Sequence, residues 1–250
     1  MSWLRILTEQ IAERRPVALG TVVEGPLAGR HLVLSATQGV LADELGSPVV
    51  AAALASALEA GARRCLIVDG LRVYMEAFLP PPELLVIGAG HVAQPVAQLG
   101  KLLGFTVTVI DDRPQYALAA RFPAADRVIC ADFVPALQGL VTGPQTYAVL
   151  VTRGHRHDME CLRELVGRPL AYIGMIGSRI RVETVFRLLA EEHGIDPQAL
   201  EQVYAPIGLD LNARTPAEIA VAVAAELLKV RRGGTGQSLS RLDRGKIHGR

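Results

Sequence analysis

Gly88, Gly90 and His91 lie in Leu84-Leu85-Val86-Ile87-Gly88-Ala89-Gly90-His91-Val92-Ala93, an apolar run that turns through G-x-G-x-x-A into a helical pattern. That order suits the chemistry of binding an anion. Gly88 permits the tight turn, Gly90 lets a phosphate approach the backbone, and Ala93 lets the helix pack closely on the strand. The start of the helix then offers free N–H groups and a positive dipole end. Asp111 and Asp112 close the next apolar run, about 20 residues on, where a Rossmann-type fold carries its ribose-binding acid. The loop fits a dinucleotide or any other phosphorylated ligand.

Three further segments belong with this one. They are Asp111-Asp112-Arg113-Pro114, Thr152-Arg153-Gly154-His155-Arg156-His157-Asp158 and Gly174-Met175-Ile176-Gly177-Ser178-Arg179. Each follows an apolar run, and in an open parallel sheet ligands gather at the carboxyl ends of the strands. Arg113, Arg153 and Arg179, with the N–H groups around Gly177 and Ser178, suit oxyanion recognition. His91, His155 and His157 read either as metal ligands or as hydrogen-bonding residues of solvated loops, and a bound anion fits the set better than a zinc ion. Ser178 reads as a phosphate contact or as the cap of the helix that follows. No G-x-S-x-G elbow and no Walker A loop are present, so hydrolase and ATPase chemistry find no support. No catalytic residue and no metal ligand set is assigned.

The elements that must position these residues form two domains. Leu79-Pro80-Pro81-Pro82 divides the chain into a small α+β domain over residues 1–79 and a Rossmann-like α/β domain over residues 83–230. In the first, Leu4, Leu7 and Ile11 recur at helical spacing, Val17–Val23 and His31–Ser35 read as strands, and Val49–Ala60 reads as a helix. Asp69-Gly70 sits between Arg64–Val68 and Leu71–Ala77 as a hairpin turn. In the second, strands are expected at Leu84–Ile87, Thr106–Ile110, Val128–Cys130, Tyr147–Val151 and Leu170–Ile173. Helices are expected at His91–Leu103, Asp158–Val166 and Arg179–His193. Thr215-Pro216-Ala217-Glu218 announces a last helix to about Val230 with a capping box. Residues 231–250 read as a disordered basic tail, or as an arm for an acidic partner; Arg231, Arg232, Arg241, Arg244, Lys246 and Arg250 face only Asp243.

Composition narrows the class. Half of the 250 residues are hydrophobic and the formal charge is +1, with 5 Phe, 5 Tyr and 1 Trp. A sizeable core is within reach, whereas a nucleic-acid footprint and a base-stacking platform are not indicated. No apolar run approaches the roughly 18 residues of a membrane span, and the first fifteen residues lack a signal-type apolar core, so a cytoplasmic protein is expected. Cys65, Cys130 and Cys161 make no disulfide or zinc pattern and read as buried structural residues, with Cys130 the best candidate for exposure.

In order along the chain, Glu76–Pro82, Ile87–Ala93, Ile110–Pro114, Arg121–Asp126, Thr152–Asp158, Ile173–Arg179, Pro206–Asp210 and Thr215–Ala220 resemble the xanthine dehydrogenase accessory (XdhC/CoxI) family. The resemblance covers about residues 75 to 230 and, more weakly, Gly29–Gly46. It implies a chaperone for the molybdenum cofactor, a phosphorylated pterin. Such a chaperone holds the cofactor while an oxo ligand is exchanged for sulfido, then delivers it to the large subunit of a xanthine dehydrogenase-type molybdenum hydroxylase. It also implies a cysteine desulfurase partner and a homodimer. The family's N-terminal cysteine-bearing segment corresponds here to Gly39–Ser47, which has no cysteine, so holding the cofactor rather than relaying sulfur is the expected part. The residue pattern alone leaves two other readings open: an NAD(P)-dependent oxidoreductase using Gly88, Gly90, Ala93 and Asp111, and a nucleotide-sensing module.

Overall fold

Alternating apolar residues make the first sheet, and unbroken apolar runs make the second. The computed structural model describes residues 2–241. The chain divides into two compact units, with the boundary between Pro80 and Pro81.

The first unit holds helix α1 (Trp3–Ala12), strands β1 (Val17–Val22), β2 (His31–Ser35) and β3 (Gly39–Asp43), helix α2 (Pro48–Glu59), and strands β4 (Arg63–Val68) and β5 (Leu71–Phe78). The strands form one antiparallel sheet in the order β3-β2-β1-β5-β4. Side chains alternate across it. Ala18, Val22, Val73 and Met75 pack with Val50, Leu54 and Leu58 of α2, and Val17 and Val33 pack with Leu7 of α1 on the other face. Asp69 and Gly70 both have positive φ (53° and 71°), as a two-residue turn with the twist of a hairpin requires. Strand β3 was not expected; its Gly39, Val40 and Asp43 are exposed, so it shows no clear alternation.

The second unit runs β6 (Glu83–Ile87), α3 (Ala93–Leu102), β7 (Thr106–Asp111), β8 (Arg127–Cys130), α4 (Phe133–Gln138), β9 (Thr146–Leu150), α5 (His155–Leu165), β10 (Tyr172–Met175), α6 (Arg179–His193), α7 (Pro197–Leu200) and α8 (Pro216–Arg232). Its five strands are parallel in the order β10-β9-β6-β7-β8. The chain reverses its direction of growth between β6 and β9, which creates the crevice at their carboxyl ends. Val86, Val109 and Val149 pack on Val96 of α3 and Val223 of α8. Ile87, Ile110 and Leu150 pack on Leu162 of α5 and Val185 of α6. The sheet is therefore covered on both faces, which is why its strands read as continuous apolar runs. Next to β10, Tyr204 adds a parallel bridge to Gly174, and Ile207 N–H donates to Met175 O at 3.0 Å.

Several expected boundaries move. Strand β10 starts at Tyr172 rather than Leu170 because Arg168-Pro169-Leu170 turns first, with Leu170 N–H on Arg168 O. Helix α5 starts at His155 rather than Asp158. Gly154 (φ 85°) turns the chain directly into it, so His155 and His157 lie in its first turn and not in a loop. Helix α8 continues through Arg231 and Arg232, two residues of the expected tail, and its Thr215–Glu218 capping box has both bonds. Residues 242–250 of that tail lie outside the described residues. Cys130 is exposed, the exception the sequence singled out, and Cys65 is exposed too, which corrects its buried reading; β4 and β8 are the edge strands of their sheets. Cys161 is buried, and that burial pushes its thiol up. Among the described residues no helix is long and apolar enough to cross a membrane.

Candidate functional site

The turn after β6 is held from three sides. Gly88 has φ 101°, and a Cβ there would lie 2.6 Å from the Val151 carbonyl oxygen, so only glycine fits between the ends of β6 and β9. The N–H of Ala89 donates to Asp111 Oδ2 at 2.6 Å, and the Ala89 carbonyl accepts from Arg121 Nη1 at 3.1 Å. Beyond this brace the backbone opens. A Cβ at Gly90 would meet nothing within 4 Å. The N–H groups of Gly90, His91 and Val92 make no hydrogen bond among the described residues, and α3 has no side-chain cap. Three consecutive free donors at a helix start form an anion cradle. The His91 side chain beside them is exposed.

Asp111 has a different task from the ribose contact expected of it. It is 1% exposed, and both oxygens are occupied by Ala89 N–H, by Arg113 N–H at 3.0 Å, and by the Arg113 guanidinium at 2.8 and 3.0 Å. Burial acts to raise this carboxyl, but the Arg113 guanidinium and the two N–H groups outweigh it and hold it below its ordinary value. Arg113 in turn lies over the Tyr116 ring, 3.7 Å from its centroid. Asp111 and Arg113 therefore position the loop.

Asp112 is the more exposed member of the pair. Its Oδ2 accepts from Arg153 Nη2 at 2.9 Å, linking the ends of β7 and β9, while its buried Oδ1 has no hydrogen-bond partner. Next to it is a cleft of about 300 Å³ whose lining includes Asp132, Phe133, Arg156, His157 and Glu160. His157 lies edge-on to Phe133, with Nδ1 3.5 Å from Glu160 Oε2, and His155 is exposed. The Arg156 guanidinium, 2.8 Å away, holds the Glu160 carboxyl low. Among the described residues no group of three or more His, Cys, Asp or Glu side chains could hold a metal ion.

Under this edge lies a fully buried carboxylate, Asp158. Thr152 Oγ1 donates to its Oδ1 at 2.5 Å, and Arg181 donates to its Oδ2 through Nε at 2.9 Å and also through Nη2. Burial pushes this carboxyl up, against the opposing pull of Thr152, Arg181 and His155. The cluster fastens the start of α5 to the start of α6. Ser178 caps α6 by accepting from Arg181 N–H at 3.3 Å, which favours the capping role over the phosphate role. Arg179 and Ser178 are exposed, with Gly177 half-buried beside them.

Arg121, Thr152, Asp158 and Arg181 were not assigned from sequence, and neither was the segment after α7. Pro206, Ile207, Gly208, Leu209 and Asp210, with Arg179, line a cavity of about 420 Å³ beyond the end of β10. Its loop is anchored from beneath. Gly208 N–H (2.9 Å) and Tyr172 O–H (2.5 Å) both donate to Glu226 Oε2 on α8. A Cβ at Gly208 (φ 99°) would lie 3.2–3.3 Å from α8 atoms. Burial and the Glu226 carboxylate push the Tyr172 phenol up, so it stays a donor.

With this geometry in place, known proteins supply a frame. Residues 84–227 match the model of the XdhC Rossmann domain. The chain is 36% identical over 160 residues to a probable xanthine dehydrogenase subunit of Bacillus subtilis (strain 168), covering 64% of this chain and 46% of that one. It is 34% identical over 156 residues to the uncharacterized protein YqeB of Escherichia coli (strain K12), covering 62% of this chain and 28% of that one. The chain thus aligns with less than half the length of either curated relative. The crystal structure of a xanthine dehydrogenase from Bacillus halodurans shares the fold over 93% of this chain and 95% of its own, with a TM-score of 0.57 at 19% identity. A Rossmann-like unit that carries the family's domain across residues 84–227 places this chain in the XdhC family.

Proposed function

We propose that this chain carries the molybdenum cofactor as cargo. In this reading it holds the cofactor for sulfuration by a cysteine desulfurase and delivers it to the large subunit of a molybdenum hydroxylase, working as a homodimer without turnover of its own. The observation that carries the reading is the uncapped start of α3. Gly90, His91 and Val92 present three free N–H groups beside a glycine with open space in front of it, in a chain of the XdhC family. The terminal phosphate of a phosphorylated pterin fits such a cradle. Asp111, Arg113 and Arg121 keep the cradle in shape. Arg153 and Asp112, His155, His157 and the Gly177–Arg179 turn offer donors and acceptors along the same edge. The bound cofactor supplies the metal centre at which sulfur is exchanged; the protein's part is to bind, orient and shield it.

One observation favours a second reading. A nicotinamide dinucleotide would use the same N–H groups, and its ribose would fall to Asp112, whose buried Oδ1 accepts no hydrogen bond and has only the Arg113 guanidinium nearby, at 3.8 Å. Mass spectrometry of the small molecule released from protein purified anaerobically from molybdate-fed cells separates the two. Molybdopterin or its oxidised product supports the carrier; NAD(P) alone overturns it. If the purified protein is empty, titration with molybdopterin and with NAD(H) makes the same decision.

A further inference from the structure

The arginines along the carboxyl edge of the parallel sheet are nearly all engaged. Arg113 binds Asp111, Arg121 binds Ala89 O, Arg153 binds Asp112, Arg156 binds Glu160 and Arg181 binds Asp158. Arg179 is different. It lines the cavity of about 420 Å³ beyond β10, and so does Asp210. Neither side chain has a hydrogen bond or an ion pair to any described residue, and they do not pair with each other. Opposite charges facing one cavity without meeting leave one set of donors and one set of acceptors for a ligand.

The rest of the cavity limits what that ligand is. Ile176, Ile207 and Ile219 supply apolar walls. These three residues pack on the same core cluster as Ala89 and Val92, so the cavity lies on the face of the sheet where the anion cradle begins. Its volume is within the ~300–1,000 Å³ usual for small-molecule sites. The loop is preset by the bonds of Gly208 to Glu226, Ile207 to Met175 O and Leu209 to Ala222 O, so ordering it on binding takes little entropy. Apolar walls with one carboxylate suit a flat heterocycle that presents two adjacent N–H donors. A 2-amino-4-oxopyrimidine edge does this: its ring N–H and its exocyclic amine donate side by side to one carboxylate, and its 4-oxo group accepts from a guanidinium.

We infer that this cavity is the ring subsite of the carrier, with Asp210 reading the 2-amino-4-oxopyrimidine edge of the pterin and Arg179 its oxo group. The inference rests on the cofactor-carrier reading and divides that ligand into a phosphate held at Gly90–Val92 and a ring held beyond β10.

Free pterin and lumazine test it. Both are fluorescent pteridines without phosphate, and lumazine carries an oxo group in place of the 2-amino group. The full chain is titrated with each. Wild type is expected to bind pterin at least tenfold more tightly than lumazine. Asp210→Asn is expected to bring the two within about twofold while thermal stability stays unchanged, and Arg179→Ala to weaken both. Equal binding of the two pteridines by wild type, no pterin binding at millimolar concentration, or full discrimination in Asp210→Asn would each overturn the assignment. Titration with molybdopterin separates this failure from failure of the carrier reading. Binding that is unchanged in Asp210→Asn removes only the subsite, whereas absence of binding to wild type removes the carrier as well.

Discussion

At the β7 end of the sheet edge, charged side chains are matched to one another; at the β10 end, Arg179 and Asp210 face open space. The contrast assigns different work to similar residues. Asp111, 1% exposed and bonded through both oxygens, fixes the backbone of the glycine turn. Asp210, exposed and without a partner among the described residues, fixes nothing in the protein and is available to a ligand. Acids of the first kind should matter for folding, and acids of the second kind for binding.

The largest effect expected from this division is at Asp111. Asp111→Ala strands the Arg113 guanidinium and the Ala89 N–H, and losing one partner of a buried pair costs about 3–5 kcal/mol. Asp112→Ala, which loses a half-exposed pair with Arg153, should cost at most about 1 kcal/mol. Urea denaturation of the two variants measures the difference, and equal losses would remove the distinction between them.

Two glycines sharpen the same point. Gly88→Ala drives a methyl group into the Val151 carbonyl from a left-handed backbone, and such overpacking costs about 1–3 kcal/mol. Gly90→Ala meets no neighbour and should shift stability by no more than about 0.5 kcal/mol. It should nevertheless weaken molybdopterin binding by intruding on the cradle, which calorimetry can follow beside thermal melts.

Glu226→Gln tests the anchor of the loop that lines the cavity beyond β10. The carboxylate that accepts from Gly208 and Tyr172 becomes a neutral amide, and bonds to a charged group contribute about 1.5–3 kcal/mol. Thermal melts should register that loss, and pterin titration should register a looser loop.

The smallest effect is the pH dependence. Asp111 and Glu160 sit below their ordinary values in the fold, so the unfolded chain takes up those protons first as pH falls. Their stabilisation is complete above the unfolded values near 4 and is lost as pH drops through the folded ones. Asp158 has the opposite sign. Burial holds it above its ordinary value, so the fold gains this proton first, and stability rises as pH falls from the raised value toward about 3.9. Chemical denaturation between pH 3 and 7 should show a shallower acid loss in Asp111→Asn than in wild type.

Features built from neighbours in sequence were legible before the structure. The glycine turn with its strand and helix, the Asp69-Gly70 hairpin and the Thr215–Glu218 capping box are set by residues within a few positions of each other, and all three are present. Features built across the sheet were not. Arg121 reaches Ala89 over 32 positions, Arg181 reaches Asp158 over 23 and Glu226 reaches Tyr172 over 54. Nothing in local spacing announces such pairs. For the same reason Asp111 read as a ligand contact: its type and place suit a ribose, and only the arrangement of Arg113 and Ala89 around it shows that both oxygens are taken. The exposure of Cys65 depends on which strands lie at the sheet edges, which no run of residues states.

The clasp of Tyr172, Gly208 and Glu226 has a consequence for how the chain matures. Helix α8 follows every strand among the described residues, so it leaves the ribosome after all of them. Until Glu226 arrives, the 206–210 loop lacks its anchor, even with the parallel sheet already paired. A nascent chain should therefore expose its glycine turn early but acquire a formed cavity beyond β10 only when α8 docks. On the proposed carrier reading, cargo would then load only into molecules that have finished folding.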